Sequence, residues 1–218
     1  MVMRLSENRY KSCFLIALYS KERTRSDGMG SYTVMADVSR SILELLKSNL
    51  VPEPIKKAEN IGVCAPNDRG NNILGLYLYN IDENPESRSM ERIVLDKEHY
   101  KDAPMSINLY YMLFAYSDTD LITRAVDEQR ILGKAIQVLN ENRQIQKEYL
   151  MGTLKENEEM VSMSMINMSL EEKVRIWSLF NQPYRISAFY KVGPIFLESD
   201  KIKTVKRVQK VDISVHQK

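Results

Sequence analysis

SINLYYMLFAY (residues 106–116) is the stretch that decides the fold of this chain. Successive side chains of a β-strand point to opposite faces, and both faces of this stretch are apolar or aromatic. A strand with two apolar faces is typical of the centre of a sheet that is covered on both sides. The stretch therefore predicts a central strand in a layered domain.

A second strand of the same kind, ILGLYLYNI (73–81), precedes it along the chain. Leucines occupy one face and tyrosines and isoleucines the other, so this strand is also predicted to be covered on both sides. The turn residues RGNN (69–72) connect it to a short strand within ENIGVCAPND (59–68). MERIVL (90–95) is a further candidate strand.

The first helix is predicted within MGSYTVMADVSRSILELLKSNL (29–50), where apolar residues recur at every third or fourth position. The prolines of VPEP (51–54) forbid continuation, so the helix ends before them. Its predicted buried residues are Val34, Val38, Ile42, Leu45 and Leu46.

The clearest helix lies in DTDLITRAVDEQRILGKAIQVLNEN (118–142), where Asp118 or Asp120 can cap the first turn. Gly133 is unfavourable inside a helix relative to alanine, which suggests close packing on the sheet. The predicted buried stripe consists of Ile122, Val126, Ile131, Ala135 and Val138.

Two further stretches predict strands nearer the C-terminus. RISAFYKV (185–192) and IFLES (195–199) are either a strand pair or one strand broken at Gly193-Pro194. EMVSMSMINM (159–168) alternates and predicts a half-buried strand. The buried face of that strand is predicted to carry Val161, Met163 and Met165.

A capping box formed by Ser169 and Glu172 predicts the start of the helix LEEKVRIWSLFN (170–181). The predicted anchors of this helix are Val174, Trp177 and either Leu179 or Phe180.

The resulting order of elements predicts an α/β (α+β) fold: a single mixed β-sheet packed by helices. Three segments are expected. Residues 1–28 are an N-terminal arm or a non-native extension, because KERTRSDG (21–28) is polar and Met29 could itself be a start. Residues 29–199 form the α/β domain, and residues 200–218 form a basic C-terminal tail.

The composition argues against nucleic acid and membranes as partners. Lys and Arg number 31 and Asp and Glu 29, so the net charge of +2 demands no polyanionic partner. CFLIALY (13–19) is far shorter than the roughly 20 residues that span a bilayer. Cys13 and Cys64 are too few for a disulfide framework. We therefore expect a cytoplasmic protein without a membrane span.

No cluster of residues supplies catalytic or metal-binding chemistry. His99 and His216 each stand alone, and His99 is expected in a solvated loop. Cys64 is expected to be a small buried apolar residue rather than a nucleophile. The carboxylate pairs at 158–159 and 171–172 are adjacent in sequence and do not face each other on a helix. The chain is therefore predicted not to be an enzyme, with no catalytic residue, no metal and no cofactor.

Five blocks in a fixed order carry a resemblance that spans about residues 32–199. They are YTVMADVSRSILELL (32–46), LYLYNIDENPESR (76–88), APMSINLYYMLFAY (103–116), ILGKAIQVLNEN (131–142) and SLEEKVRIWSLFNQPYRISAFYKV (169–192). Together they resemble the tail-terminator, or cap, proteins of phage-tail-like extracellular contractile injection systems of the antifeeding-prophage type.

The resemblance implies a structural role. A protein of this kind forms a ring, expected to be a homohexamer, which ends polymerisation of the inner tube and binds the last ring of the contractile sheath. It implies the chain itself, the sheath protein and the inner tube protein as partners. It also implies assembly in the cytoplasm and incorporation into a particle that can be released from the cell. The alternative is an adaptor or chaperone that binds tube or sheath subunits during assembly and then leaves.

Two regions are candidate contact surfaces. A charge entering a sheet is costly unless it is paired or lies at a subunit boundary, so Arg185 is either an interface residue or a surface arginine. The tail mixes Val and Ile with Lys and Arg in partial alternation, which favours a strand that pairs with a neighbour or with the sheet edge. The candidate interface residues are Arg185, Lys203, Lys206, Arg207 and Lys210.

Overall fold

The computed structural model describes residues 32–87, 92–96 and 98–204. The helices are α1 (Val34–Leu50), α2 (Leu121–Glu141), α3 (Gly152–Glu156) and α4 (Leu170–Ser178). The strands are β1 (Ile61–Val63), β2 (Leu74–Glu83), β3 (Ile93–Val94), β4 (His99–Lys101), β5 (Met105–Ala115), β6 (Met163–Met165), β7 (Ser187–Leu197) and β8 (Ile202–Thr204).

A five-stranded mixed sheet in the order β1-β2-β5-β7-β6 forms the centre of the domain. Strand β1 pairs with β2 in parallel, and the other pairs are antiparallel. Strand β5 is the middle strand, and Met105 is its one exposed residue. The central position predicted for this stretch is therefore confirmed. Strand β2 is buried at its start, but its last four residues, 80–83, are exposed, so the predicted double cover holds only for its first part.

One face of the sheet, here called the α1 face, carries the larger part of the core. Helices α1, α2 and α3 pack there against alternate residues of β2, β5 and β7. All five α1 residues predicted to be buried are buried, and the helix ends at Leu50, immediately before the first proline. The core on this face includes Leu74 and Leu76 of β2, Leu109 and Tyr111 of β5, and Tyr190 and Val192 of β7.

The opposite face, here called the α4 face, is covered by α4 through an aromatic cluster. Trp177 is fully buried against Phe114, with the two ring centroids 5.9 Å apart. The predicted capping box is confirmed, because Ser169 and Glu172 exchange the expected hydrogen bonds. The anchor predicted at Val174 is wrong, because this side chain is 42% exposed. Of the alternatives Leu179 and Phe180, Leu179 is exposed and Phe180 packs, partly buried, against the aromatic cluster.

The predicted buried stripe of α2 is wrong in its first half. Ile131, Ala135 and Val138 are buried, but Ile122 is 94% exposed and Val126 is 59% exposed. The step from 126 to 131 is five residues, which rotates the helix by about 140° beyond one full turn. Ile122 and Val126 therefore lie on the other side of the helix from Ile131, Ala135 and Val138.

The start of α2 and its glycine also differ from the predictions. Asp120 is the N-cap residue, yet no side-chain hydrogen bond caps the helix. Gly133 is exposed, and a Cβ placed there would meet no atom within 4 Å, so close packing on the sheet does not explain it.

Two further predictions concern β7 and β6, the last two strands in the order of the main sheet. RISAFYKV and IFLES are one strand, β7, which continues through Gly193-Pro194. In β6, Met163 is buried as predicted, but Met165 is 53% exposed because this strand lies at the sheet edge.

A second, three-stranded sheet in the order β3-β4-β8 continues the β5–β7 pair beyond the main sheet. Strand β3 has two residues, so it is shorter than the predicted stretch 90–95. His99 lies in β4 and not in a loop, since backbone pairing with Thr204 draws it into this small sheet. Cys13, His216, residues 1–28 and the tail from Val205 onward lie outside the described residues.

Candidate assembly surfaces

Arg185 belongs to a polar cluster at the end of β5. Its Nη1 donates a hydrogen bond to Glu128 Oε1 at 2.8 Å. The guanidinium of Arg185 and that of Arg69 each lie 4.5 Å from the ring centroid of Tyr116. Both contacts are cation–π interactions, which are favourable at such distances. Arg69, Tyr116, Glu128 and Arg185 are called the Arg185 cluster below.

The Arg185 cluster joins four parts of the chain, one of which is the turn before β2 that carries Arg69. Ser117, two residues after the end of β5, donates its N–H to Glu128 Oε1 at 3.3 Å and its hydroxyl to Asp127 Oδ2 at 2.6 Å. Burial raises the pKa of the Tyr116 phenol, while the positive charges of Arg185 and Arg69 act in the opposite direction. The cluster thus ties the loop before β7 to the first half of α2 and to the end of β5.

Arg185 is satisfied within its own chain, although 32% of its side chain remains exposed. Glu128 is 13% exposed, so the ion pair is only partly screened by solvent. The exposed third of Arg185 is available to a neighbouring subunit. Its role as an interface residue stays a prediction.

Lys203 lies on the small sheet. It forms an ion pair with Asp102, and both side chains are partly exposed. Tyr100 pairs with Lys203 in the β4–β8 register. The guanidinium of Arg92 lies over the Tyr100 ring, 4.7 Å from its centroid. This face of the small sheet is therefore cationic and aromatic. Lys206, Arg207 and Lys210 lie outside the described residues.

The small sheet also presents an edge. Strand β8 pairs with β4 on one side, and no described strand lies along its other side. Ile202 of β8 is 55% exposed, so an apolar side chain lies at this edge. Unpaired strand edges with apolar side chains are templates for the addition of a strand.

A buried polar network on the α1 face was not predicted from the sequence. Asp37 is 2% exposed and accepts hydrogen bonds from Thr153 N at 3.1 Å and Thr153 Oγ1 at 2.9 Å. Ser41 accepts a hydrogen bond from Met151 N at 3.0 Å. The sequence signal for this network was Asp37 itself, which lies between Val34 and Val38 on the buried stripe of α1. A buried carboxylate needs hydrogen-bond donors, so its position predicts a polar partner.

Metal-binding clusters and the thiol of Cys64 are the remaining candidates for chemistry within the described residues. Within 32–87, 92–96 and 98–204, no three His, Cys, Asp or Glu side chains lie where they could hold a metal ion. Cys64 is half-buried beside the aromatic cluster of the α4 face, and burial raises the pKa of its thiol. A raised pKa keeps the thiol protonated and unreactive. In the same part of the chain, no helix is long and apolar enough to cross a membrane.

Residues 37–210 match the family model of the Pvc16 N-terminal domain. The chain belongs to this family. The match includes the whole five-stranded sheet, the small sheet and most of α1, so it concerns the domain and not a local motif.

Two solved structures share the fold of this family member. One is a PVC sheath/tube terminator in the extended state, from an extracellular contractile injection system. The match has 17% identity and a TM-score of 0.59, and covers 87% of this chain and 65% of the other. The second is the tube-terminating cap of the anti-feeding prophage, with 18% identity, a TM-score of 0.52, and coverage of 83% and 61%.

The comparisons confirm the resemblance to tail-terminator proteins and the mixed α+β fold. The chain spans less than two thirds of the length of either solved relative. No curated protein matches the chain.

Proposed function

We propose that this chain is a non-enzymatic tail terminator, or cap, of a contractile injection system. It assembles into a ring, expected to be a homohexamer, at the end of the particle. There it ends polymerisation of the inner tube and binds the last ring of the sheath. Membership of the Pvc16 N-terminal domain family and the shared fold of two terminators support this proposal.

The observation that carries the proposal is the small sheet with its unpaired β8 edge. His99, the first residue of β4, pairs with Thr204, the last residue of β8. A strand that continued past Thr204 would run beyond the start of β4. Its backbone N–H and C=O groups would then be free to pair with a strand of another chain.

The tail that follows has the composition for such pairing. Residues 205–218 intersperse Val and Ile with polar and basic residues, in partial alternation, and contain neither glycine nor proline. In strand addition the backbone supplies register and affinity, and alternate side chains supply specificity. A terminator that donates one strand to the last sheath ring and offers no edge to a further ring would cap the particle without propagating it.

Particle length tests this proposal. Deletion of residues 205–218 keeps β8 and the small sheet, so the domain should fold while particles become long and variable in electron micrographs. The double substitution Val208→Pro and Val211→Pro should do the same without shortening the chain, because proline cannot donate a ladder hydrogen bond. Deletion of residues 216–218 alone is the matched control and should leave the length unchanged.

Two results would contradict the proposal. Particles of uniform wild-type length made with both the deletion and the proline variant would exclude a capping role for the tail. A chain that is needed for assembly but absent from purified particles would favour the adaptor or chaperone instead of a terminator.

A further inference from the structure

A long stretch of β2 is unpaired on its outer side. There β2 pairs with β1 only over residues 74–76, and the contact ends where Cys64 N donates to Leu76 O at 3.1 Å. The remaining residues, 77–83, pair with β5 on their inner side, and within the described residues no other strand lies along their outer side. Residues 77–83, called the β2 edge below, are therefore open to a further strand.

Apolar and aromatic side chains lie on both faces beside the β2 edge. Leu78 and Ile81 pair with β5 residues whose side chains belong to the core of the α1 face, so they share that face. Tyr77 and Tyr79 pack against the aromatic cluster of the α4 face. Ile81 is 44% exposed, and the other three are half-buried. A strand added here would therefore meet apolar side chains on both of its faces.

The end of the β2 edge is acidic. Asp82 and Glu83 are exposed, and within the described residues neither carboxylate forms an ion pair. Asn80 donates a hydrogen bond to Asp82 Oδ1 at 3.1 Å but adds no positive charge. Opposite charges across a strand pair are favourable, so a strand with cations at its end fits this edge.

One segment outside the described residues has the matching apolar composition. CFLIALY (13–19) is seven consecutive apolar residues, and the β2 edge is also seven residues long. A run of this length that contains aromatic and β-branched residues favours a buried strand over a helix, which needs about 10–12 residues. Such a run promotes aggregation when it is exposed. The segment therefore needs a cover, and the β2 edge offers one.

Both flanks of this segment are basic. Residues 8–12 hold two cations and no anion, and residues 20–25 hold three cations and one anion, so each flank carries a net charge of +2. A strand pairs with the β2 edge in either a parallel or an antiparallel direction. Either direction brings one basic flank to Asp82 and Glu83.

The chain between this segment and the described domain is long enough for the pairing. Residues 20–31 number twelve, and at about 3.3 Å per residue they span up to about 40 Å. A compact domain of this size has a radius of gyration of about 16 Å. The β2 edge of the same chain is therefore within reach.

We propose that residues 13–19 add to the β2 edge of their own chain as a further strand of the main sheet. Backbone hydrogen bonds to residues 77–83 hold the segment, as in other cases of strand addition. Its apolar side chains cover Ile81, and a basic flank faces Asp82 and Glu83. The covered edge is no longer open to another chain. The pairing lies within one chain, so it does not require the proposed ring.

Hydrogen exchange of residues 77–83, followed by mass spectrometry, tests the pairing in the full chain. Leu15→Pro combined with Ile16→Pro removes the N–H groups of two neighbouring positions, so the side that faces β2 loses a donor in either register. The outward amides of residues 77–83 should then exchange at least about tenfold faster, because their opening no longer requires a paired strand to separate. Thr24→Pro, between the segment and the domain, is the matched control and should leave this exchange unchanged.

A chain that begins at Met29 gives a second measurement. The hydrogen bonds and core contacts of the described domain lie within residues 32–204, so this variant should fold, as slow exchange in the central strand β5 would verify. Its residues 77–83 should exchange as fast as those of the double-proline variant. A synthetic peptide of residues 8–25, added in excess, should slow them again.

Three results would overturn the proposal. Equal exchange of residues 77–83 in the full chain, the double-proline variant and the shortened chain would show that the segment does not cover this edge. Protection that is lost on dilution of the full chain would show that a second copy supplies the cover. A mature protein whose intact mass begins at Met29 would lack the segment altogether. None of these measurements involves particle length, so the terminator role is tested separately.

Discussion

Arg185 and Glu128 are separated by 57 positions in sequence, and their side chains lie 2.8 Å apart in the structure. The pair fixes the loop before β7 against α2 at the end of the central strand. Its other support is Tyr116, whose ring lies beneath the same guanidinium. The contact therefore belongs to the tertiary structure of the single chain.

Arg185→Ala should destabilise the domain by about 1–3 kcal/mol, because it removes a charge-assisted hydrogen bond and leaves a mostly buried carboxylate without its cation. The measurement is the free energy of unfolding in urea. Arg175→Ala is the matched control, since the Arg175–Glu171 pair is exposed on both sides and is expected to contribute below about 1 kcal/mol. Equal effects of the two substitutions would contradict the structural role assigned to the Arg185 cluster.

Trp177→Ala should reduce stability by about 3–5 kcal/mol, because it opens a cavity in the α4 face core. Trp177 is fully buried and donates its indole N–H to Ser187 Oγ at 3.0 Å. Ser187→Ala would leave that N–H unpaired and should cost about 1–3 kcal/mol. Leu179→Ala, at a 79% exposed position, is the control and should change stability by less than about 0.5 kcal/mol.

Fluorescence reports the same feature independently. The native emission of Trp177 should be blue-shifted and poorly quenched by soluble quenchers, since the indole is buried. A red-shifted, fully quenchable native spectrum would refute its placement between α4 and the sheet.

Substitution by alanine should change the stability of the protein in opposite directions at two glycines. Gly152 has φ +55, and a Cβ there would lie 2.4 Å from the Asp37 carboxylate. Gly152→Ala should therefore cost at least about 1–2 kcal/mol from the left-handed backbone alone, with the displaced carboxylate in addition. Gly133→Ala should instead stabilise the isolated protomer by about 1 kcal/mol. Thermal melts of dilute protein compare the two, and a stabilising Gly152→Ala would contradict the Asp37 network.

Alkaline pH should destabilise the domain through its buried phenols. Burial raises the pKa values of Tyr79, Tyr111 and Tyr190 from 10.0 to about 12. Below pH 10 both the folded and the unfolded chain hold these phenols neutral, so their contribution is complete. As the pH rises from about 10 to about 12, the unfolded chain ionises first, and the free energy of unfolding falls.

Tyr190→Phe isolates one of these groups. The Tyr190 hydroxyl is buried and has no hydrogen-bond partner among the described residues, so its removal should leave stability at neutral pH unchanged or higher. Urea unfolding at pH 9 and pH 11 should show a smaller loss for the variant than for the wild type. An identical loss would show that Tyr190 ionises in the folded protein as easily as in the unfolded one.

Local sequence patterns predicted the strands and helices whose core-facing side chains are apolar. The stretch 106–116 has two apolar faces and is the central strand, and α1 buries the five residues that its periodicity selects. The capping box at Ser169 also required only local residues, because its partners lie three positions apart. The family resemblance was also recognisable from the sequence, because it rests on blocks of consecutive residues.

Contacts between segments that are distant in sequence could not be predicted from local patterns. Asp37 pairs with Thr153, which is 116 positions away, and nothing in the local sequence names that partner. The pattern in α2 failed for a related reason. Ile122 and Val126 are as apolar as Ile131, but the side of the helix that meets the sheet depends on where the sheet lies.

The sequence by itself determined which segments become strands and helices, since side-chain periodicity and capping act over a few residues. Only the tertiary structure decided which apolar residues stay outside, because burial depends on neighbours that arrive from distant parts of the chain. It buried Trp177 and left Ile122 and Leu170 exposed on opposite faces of the sheet. The position of the uncovered apolar surface is therefore a property of the packed sheet.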